Sequence, residues 1–185
     1  MPIRLLILSL MVATVALGAD PIKVSYGRNI LPNGKFEENE WSDAVKTPID
    51  HQMNLFAKQD DKYLYFGIEF VDTMHTGIDL YLAESSFSQK MLHVSSAIGE
   101  GEFRQGKWQE PSWGANQLWT ANVVGMLIRE GERGILPLDG FEFQIDKSLF
   151  HSKRWYAIIH LKRPDFIHPA DADFKKLDTW QIIEL

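Results

Sequence analysis

The strongest constraint on this chain is the two-residue period of its apolar side chains. From Tyr63 to Val71, Leu64, Phe66, Ile68 and Phe70 fall on one face while Glu69 falls on the other, and only an extended strand sends alternate side chains to opposite faces. Ile78, Leu80 and Leu82 repeat the pattern, with Asp79 and Tyr81 between them, after the connection Asp72-Thr-Met-His-Thr-Gly77. A short glycine-containing connection between two such runs predicts antiparallel neighbours. Further strands are expected at 22–26, 52–58, 92–98, 119–128, 141–145, 155–161 and 179–185. Helical signals are confined to Glu37 to Val45, which would carry Trp41 and Val45 inward, and to one turn at Lys147 to Phe150. Many short strands without strand–helix–strand alternation imply an all-β fold, an antiparallel two-sheet β-sandwich with one or two short helices.

The first residues read as an export signal. Arg4 supplies the positive start, Leu5 to Leu17 an apolar run, and Ala16-Leu17-Gly18 small residues beside a cleavage point. An apolar run of about 13 residues falls short of the roughly 20 that a spanning helix needs. The expectation is a signal peptide at 1–18 and a single β-sandwich domain at 19–185, secreted or periplasmic, with no transmembrane segment after cleavage. The chain has no cysteine, which excludes disulfides, a lipidated cysteine at the N-terminus and thiol nucleophiles. The net charge of −6 becomes more negative by one once Arg4 is removed. That balance argues against nucleic acid and anionic membrane as partners, because both need clustered Lys and Arg.

Two segments carry a resemblance. Ile30-Leu-Pro-Asn-Gly-Lys-Phe-Glu-Glu-Asn-Glu-Trp41 followed by Lys62-Tyr-Leu-Tyr-Phe-Gly-Ile-Glu-Phe-Val-Asp72, and later Phe141-Glu-Phe-Gln-Ile-Asp-Lys-Ser-Leu149, resemble the opening and a later strand-then-turn of family 9 carbohydrate-binding modules and DOMON-like β-sandwiches. The resemblance covers most of the chain beyond the signal. It implies a non-catalytic module that binds a glycan or a similar polyhydroxylated ligand. Family 9 modules clamp a sugar between two loop aromatics, and Trp180 approximates the later one. The earlier is absent from Thr73-Met74-His75-Thr76-Gly77, where this chain departs from the pattern. Trp41 and Trp155 read as core.

The expected ligand site lies between His93 and Trp119. Trp108, Trp113 and Trp119 fall there among glycines and prolines, with His93, Glu102 and Asn116 as polar contacts. An indole face stacks on the C–H face of a pyranose while polar groups read its hydroxyls. The other reading of these rings is that they pin a long loop onto the sandwich. Sandwich cytochromes of the DOMON-like type hold a b-type haem between an early Met and a late His, and here Met74 (or His75) and His168 are the matching residues. A structural calcium is a further possibility at the turn aspartates Asp60, Asp61, Asp72, Asp171 and Asp173. A structural or interaction domain without a small ligand is the remaining alternative. No nucleophile elbow, zinc-protease helix or phosphate loop occurs. Glu100 and Glu102, two apart on a strand, face the same way, as acidic pairs on solvated surfaces commonly do, so no catalytic residue is expected.

Overall fold

The computed structural model describes residues 20–71, 75–114, 118–129 and 132–185. The expected signal segment, Asp72, Met74 and Asn116 therefore lie outside the described residues. The strands begin with β1 (Ile22–Lys23), β2 (Ser25–Tyr26), β3 (Val45–Asp50), β4 (Met53–Gln59), β5 (Tyr63–Phe70) and β6 (Gly77–Ser85). Then come β7 (Ser88–Val94), β8 (Ile98–Arg104), β9 (Lys107–Trp108), β10 (Ser112–Trp113), β11 (Trp119–Ala121), β12 (Met126–Arg129) and β13 (Glu132–Ile135). β14 (Gly140–Asp146), β15 (Arg154–Lys162), β16 (Phe166–His168) and β17 (Gln181–Glu184) follow.

The fold is all-β, with two packed sheets. The larger runs β1-β17-β15-β6-β7-β8-β10, with β16 beside β15 and β9 beside β8; the smaller runs β11-β14-β5-β4-β2, with β3 beside β4. β12 and β13 form a separate ribbon. Both sheets are mixed and not purely antiparallel, because β1 pairs parallel with β17 and β2 parallel with β4.

Alternation builds the interior. Leu64, Phe66 and Ile68 of β5 stand opposite Ile145, Phe143 and Phe141 of β14, and Ile78, Leu80 and Leu82 of β6 stand opposite Leu161, Ile159 and Ala157 of β15. These two sets, with Trp155, Leu92 and Val94, form one buried cluster between the sheets. β5 and β6 therefore face each other across the core and are not paired neighbours as the sequence suggested. Each has a fully apolar face to bury, and the connection between them crosses from one sheet to the other. The run 92–98 is divided by the hairpin loop Ser95-Ser96-Ala97, across which Val94 pairs with Ile98, and the run 119–128 is interrupted after Ala121. The expected helix at 37–45 is a series of turns, leading into β3 at Val45. The expected turn after β14 is a 3-10 turn at Lys147–Leu149, whose start is capped by the Asp146 carboxylate accepting from the Ser148 N–H. No helix among the described residues is long and apolar enough to cross a membrane.

The outer faces are also covered. Residues 166–180 lay Ile167, Phe174, Leu177 and Trp180 over Ala83 and Ile158 of the larger sheet. On the smaller sheet, Ile30, Phe36 and Trp41 pack over Phe56 and Tyr65, and Gly67 leaves room for the two rings: a Cβ there would lie 2.7 Å from Phe36 and 2.8 Å from Trp41. Two charged groups are buried under this strap. Lys58 donates to the Glu40 carbonyl and to Asp43 at 2.7 Å, below the Trp41 ring. Glu142 accepts from the Asn33 and Gly34 N–H groups at 2.7 and 2.8 Å and from the Trp41 indole at 2.9 Å. A buried charge is tolerated when its partners are supplied in this way.

Burial, reinforced by the neighbouring Glu40 charge, raises the Glu142 pKa above the ordinary glutamate value against the pull of its three donors. The folded state thus holds this proton more tightly than the unfolded chain does. Its contribution is complete below the ordinary pKa and diminishes as pH rises through the raised one. Glu142→Gln is expected to abolish that slope and, by turning an NH2 group toward N–H donors, to cost about 1–3 kcal/mol. Urea unfolding of both proteins from acid to neutral pH checks both effects.

Candidate functional site

The register of the larger sheet lines up residues that are far apart in sequence. His160 of β15 stands opposite Asp79 of β6, Asp79 opposite His93 of β7, His93 opposite Gly99 of β8, and Gly99 opposite Trp113 of β10. Paired residues share a face, and the neighbours of this row in β6, β7 and β15 (Ile78, Leu80, Leu92, Val94, Ile159 and Leu161) point into the core. The row therefore lies on the outer face.

Trp113 is 64% exposed. Its six-membered ring lies against Gly99, where a Cβ would approach to 3.0 Å, so the missing side chain is what lets the indole rest on the strand. The His93 ring meets it edge-on at 5.3 Å and 80°. Beyond His93 opens a cavity of about 630 Å3 lined by Thr76, Ser95, Val124, Ile135, Lys162 and Arg163 among others, a size suited to a small molecule.

The polar groups at the cavity are tightly connected. Asp79 Oδ1 is 2.6 Å from His93 Nδ1, and His93 Nε2 is 3.0 Å from Ser95 Oγ. The other Asp79 oxygen is 3.0 Å from Lys162 Nζ, and His160 Nε2 lies 2.7 Å from Asp165. Burial disfavours the Asp79 charge, but hydrogen bonds from His93 and Lys162 outweigh it and hold the carboxyl below its usual range. An ionised carboxylate only accepts. His93 Nδ1 therefore carries the proton, and in the neutral ring Nε2 is left to accept from the Ser95 hydroxyl.

The structure divides the site residues expected from sequence. Trp113 and His93 come together. Trp108 shares the outer face, where it is half-buried between Tyr81 at 5.2 Å and Phe103 at 5.6 Å. Trp119 is 3% exposed; it lies in the core cluster and donates its indole N–H to Glu100 at 2.9 Å. Glu102 stands opposite Lys90, on the inward side of the sheet with Glu100, and its pKa is lowered first by the hydrogen bond from Lys90. Trp119 and Glu102 are thus on the other side of the sheet from Trp113. Trp180 is buried, donating to the Asp173 carbonyl, so it offers no ring to a sugar clamp. Asp79, Ser95 and Lys162 were missed from sequence, although the spacing of His93 and Ser95 puts both on one strand face.

Of the residues expected to hold haem, His168 is half-buried, its Nε2 enclosed with no hydrogen-bond partner, and burial lowers its pKa. His75 is buried and its Nδ1 donates to the Pro164 carbonyl at 2.9 Å. Among the described residues no group of three His, Asp or Glu side chains is placed to hold a metal ion. Asp60 accepts from the Lys62 and Tyr63 N–H groups and the Tyr65 hydroxyl, and Asp173 from the Lys175 N–H. No family model matches the chain, nor does any curated protein or solved structure.

The tryptophans are separable by stability. Trp119→Ala empties a core position and is expected to cost about 3–5 kcal/mol, whereas Trp113→Ala should stay within about 1 kcal/mol of the parent. Urea midpoints of the two variants test the assignment.

Proposed function

We propose that the chain is an exported ligand-binding β-sandwich, similar to family 9 carbohydrate-binding modules and DOMON-like domains, that binds a carbohydrate or similar polyhydroxylated ligand on the outer face of its larger sheet. The observation that carries this reading is the exposed Trp113 indole, seated over Gly99 beside His93, which lines a cavity with both polar and apolar walls. Tryptophan is among the residues enriched at the anchoring positions of recognition surfaces. The ring supplies a stacking plane for sugar C–H groups. Ser95, Lys162, Arg163 and Asp165 supply donors and acceptors for hydroxyls within the adjoining cavity. Export is supported by Arg4 and the apolar run from Leu5 to Leu17.

The b-type haem alternative retains one supporting observation, the partnerless His168 Nε2. An enclosed imidazole nitrogen suits a ligand atom. Against it, the cavity beside Trp113 is lined by other residues, and Met74 lies outside the described chain. Absorbance after mixing with haemin separates the two readings, since a Soret band lost in His168→Ala would favour haem.

Glycan-array binding is expected for the parent protein. Trp113→Ala should weaken a bound glycan by at least about 1 kcal/mol, as loss of an anchoring aromatic does, and Gly99→Val, which pushes the ring off its seat, should do the same. An array that stays blank for the parent, or affinities unchanged in both variants, would count against sugar stacking.

A further inference from the structure

Ser95, His93 and Asp79 form a continuous relay that a sugar-stacking surface does not require. The carboxylate is fixed at 2.6 Å from Nδ1, and Nε2 faces the serine oxygen at 3.0 Å. Lys162 holds the second carboxylate oxygen at 3.0 Å, which keeps Asp79 ionised and so fixes the ring tautomer. Asp79 is 7% exposed, whereas Ser95 and His93 line the open cavity. A nucleophile, a base and an orienting acceptor within hydrogen-bond reach of one another are what activates a serine hydroxyl, whatever the fold around them.

We infer that Ser95 is a nucleophile activated by His93 and positioned by Asp79, and that the cavity takes a carboxylic ester and removes its acyl group. The inference goes beyond ligand binding and does not depend on Trp113. In the first half-reaction the Ser95 proton passes to His93 Nε2 as Oγ bonds to the carbonyl carbon. The carbonyl electron pair moves onto oxygen and returns as the C–O bond to the alcohol breaks, and the alcohol leaves with the proton from His93. Water then attacks the acyl-serine, giving its proton to His93, and the carboxylic acid departs as Ser95 is reprotonated. An ester fits because its alcohol departs with that single proton, and the substrate halves match the walls: Val124 and Ile135 are apolar, while Thr76, Asp165 and Arg163 are polar. The tetrahedral oxygen needs donors. The Ser96 backbone N–H follows the nucleophile directly and makes no hydrogen bond among the described residues, and the Lys162 and Arg163 cations line the same space.

A serine-directed fluorophosphonate probe tests the inference on the whole protein. Mass spectrometry should find one adduct on Ser95 and none on the adjacent exposed Ser96, a comparison that needs no variant. Ser95→Ala should remove the adduct. His93→Gln, with its melting temperature measured alongside, should label about a hundredfold more slowly, the usual scale of a general base. Asp79→Asn, with its melting temperature measured alongside, should slow labelling of Ser95 and change the pH profile of that labelling, which a merely structural role for Asp79 would leave unmoved. A folded parent that stays unlabelled at saturating probe, equal labelling of Ser95 and Ser96, or a folded His93→Gln that labels at the parent rate would overturn it.

Discussion

The crossing of the chain between sheets after β5 is the constraint on which the rest depends. Two successive strands with apolar inner faces do not bury those faces by pairing with each other alone, because a second layer must still cover them. Set opposite each other, they remove both faces from water at once. Every other strand then has a place: β4 and β14 flank β5, while β7 and β15 flank β6. The same arrangement sends Asp79 and Tyr81 outward, and it is on this outward side of β6 that polar chemistry collects.

Neither outer face is left as a bare sheet. The strap over the smaller sheet is pinned by Lys58 and Glu142, two buried groups held by specific hydrogen-bond partners that their loss would leave buried and unsatisfied. On the larger sheet the cover is mainly apolar, from Ile167 through Trp180, and it abuts Tyr81 through the Phe174 ring. From Asp79 toward Trp113 the face is open. The surface proposed to bind ligand is therefore the part of the sheet that the chain's own covering segment does not reach.

Strand identity was legible because it is local: the alternation at Leu64 to Phe70 and at Ile78 to Leu82 needs nothing but the two-residue period. Partner choice was not, since it depends on where connections cross and on how a three-residue loop such as Ser95-Ser96-Ala97 sets register. Trp119 shows the consequence. In sequence it resembles its neighbour Trp113, yet the first belongs to a strand that faces the core and the second to an edge strand whose ring faces outward. Glu102 and His93 were likewise assigned to one site, although opposite parity on paired strands puts them on opposite sides of the sheet. The row from His160 to Trp113 draws on five strands and cannot be read from any one segment.

The short strands β1 and β2 join the two sheets at one margin, since five residues of chain pair first with β17 and then with β4. The contact of Ile22 with Ile183 closes a loop that spans nearly the whole described chain, and such long-range closures gain their contacts only after the segments between are ordered. These residues thus make the seam between the two sheets depend on pairing between the two ends of the described chain, one strand away from β15, where the row of polar residues begins.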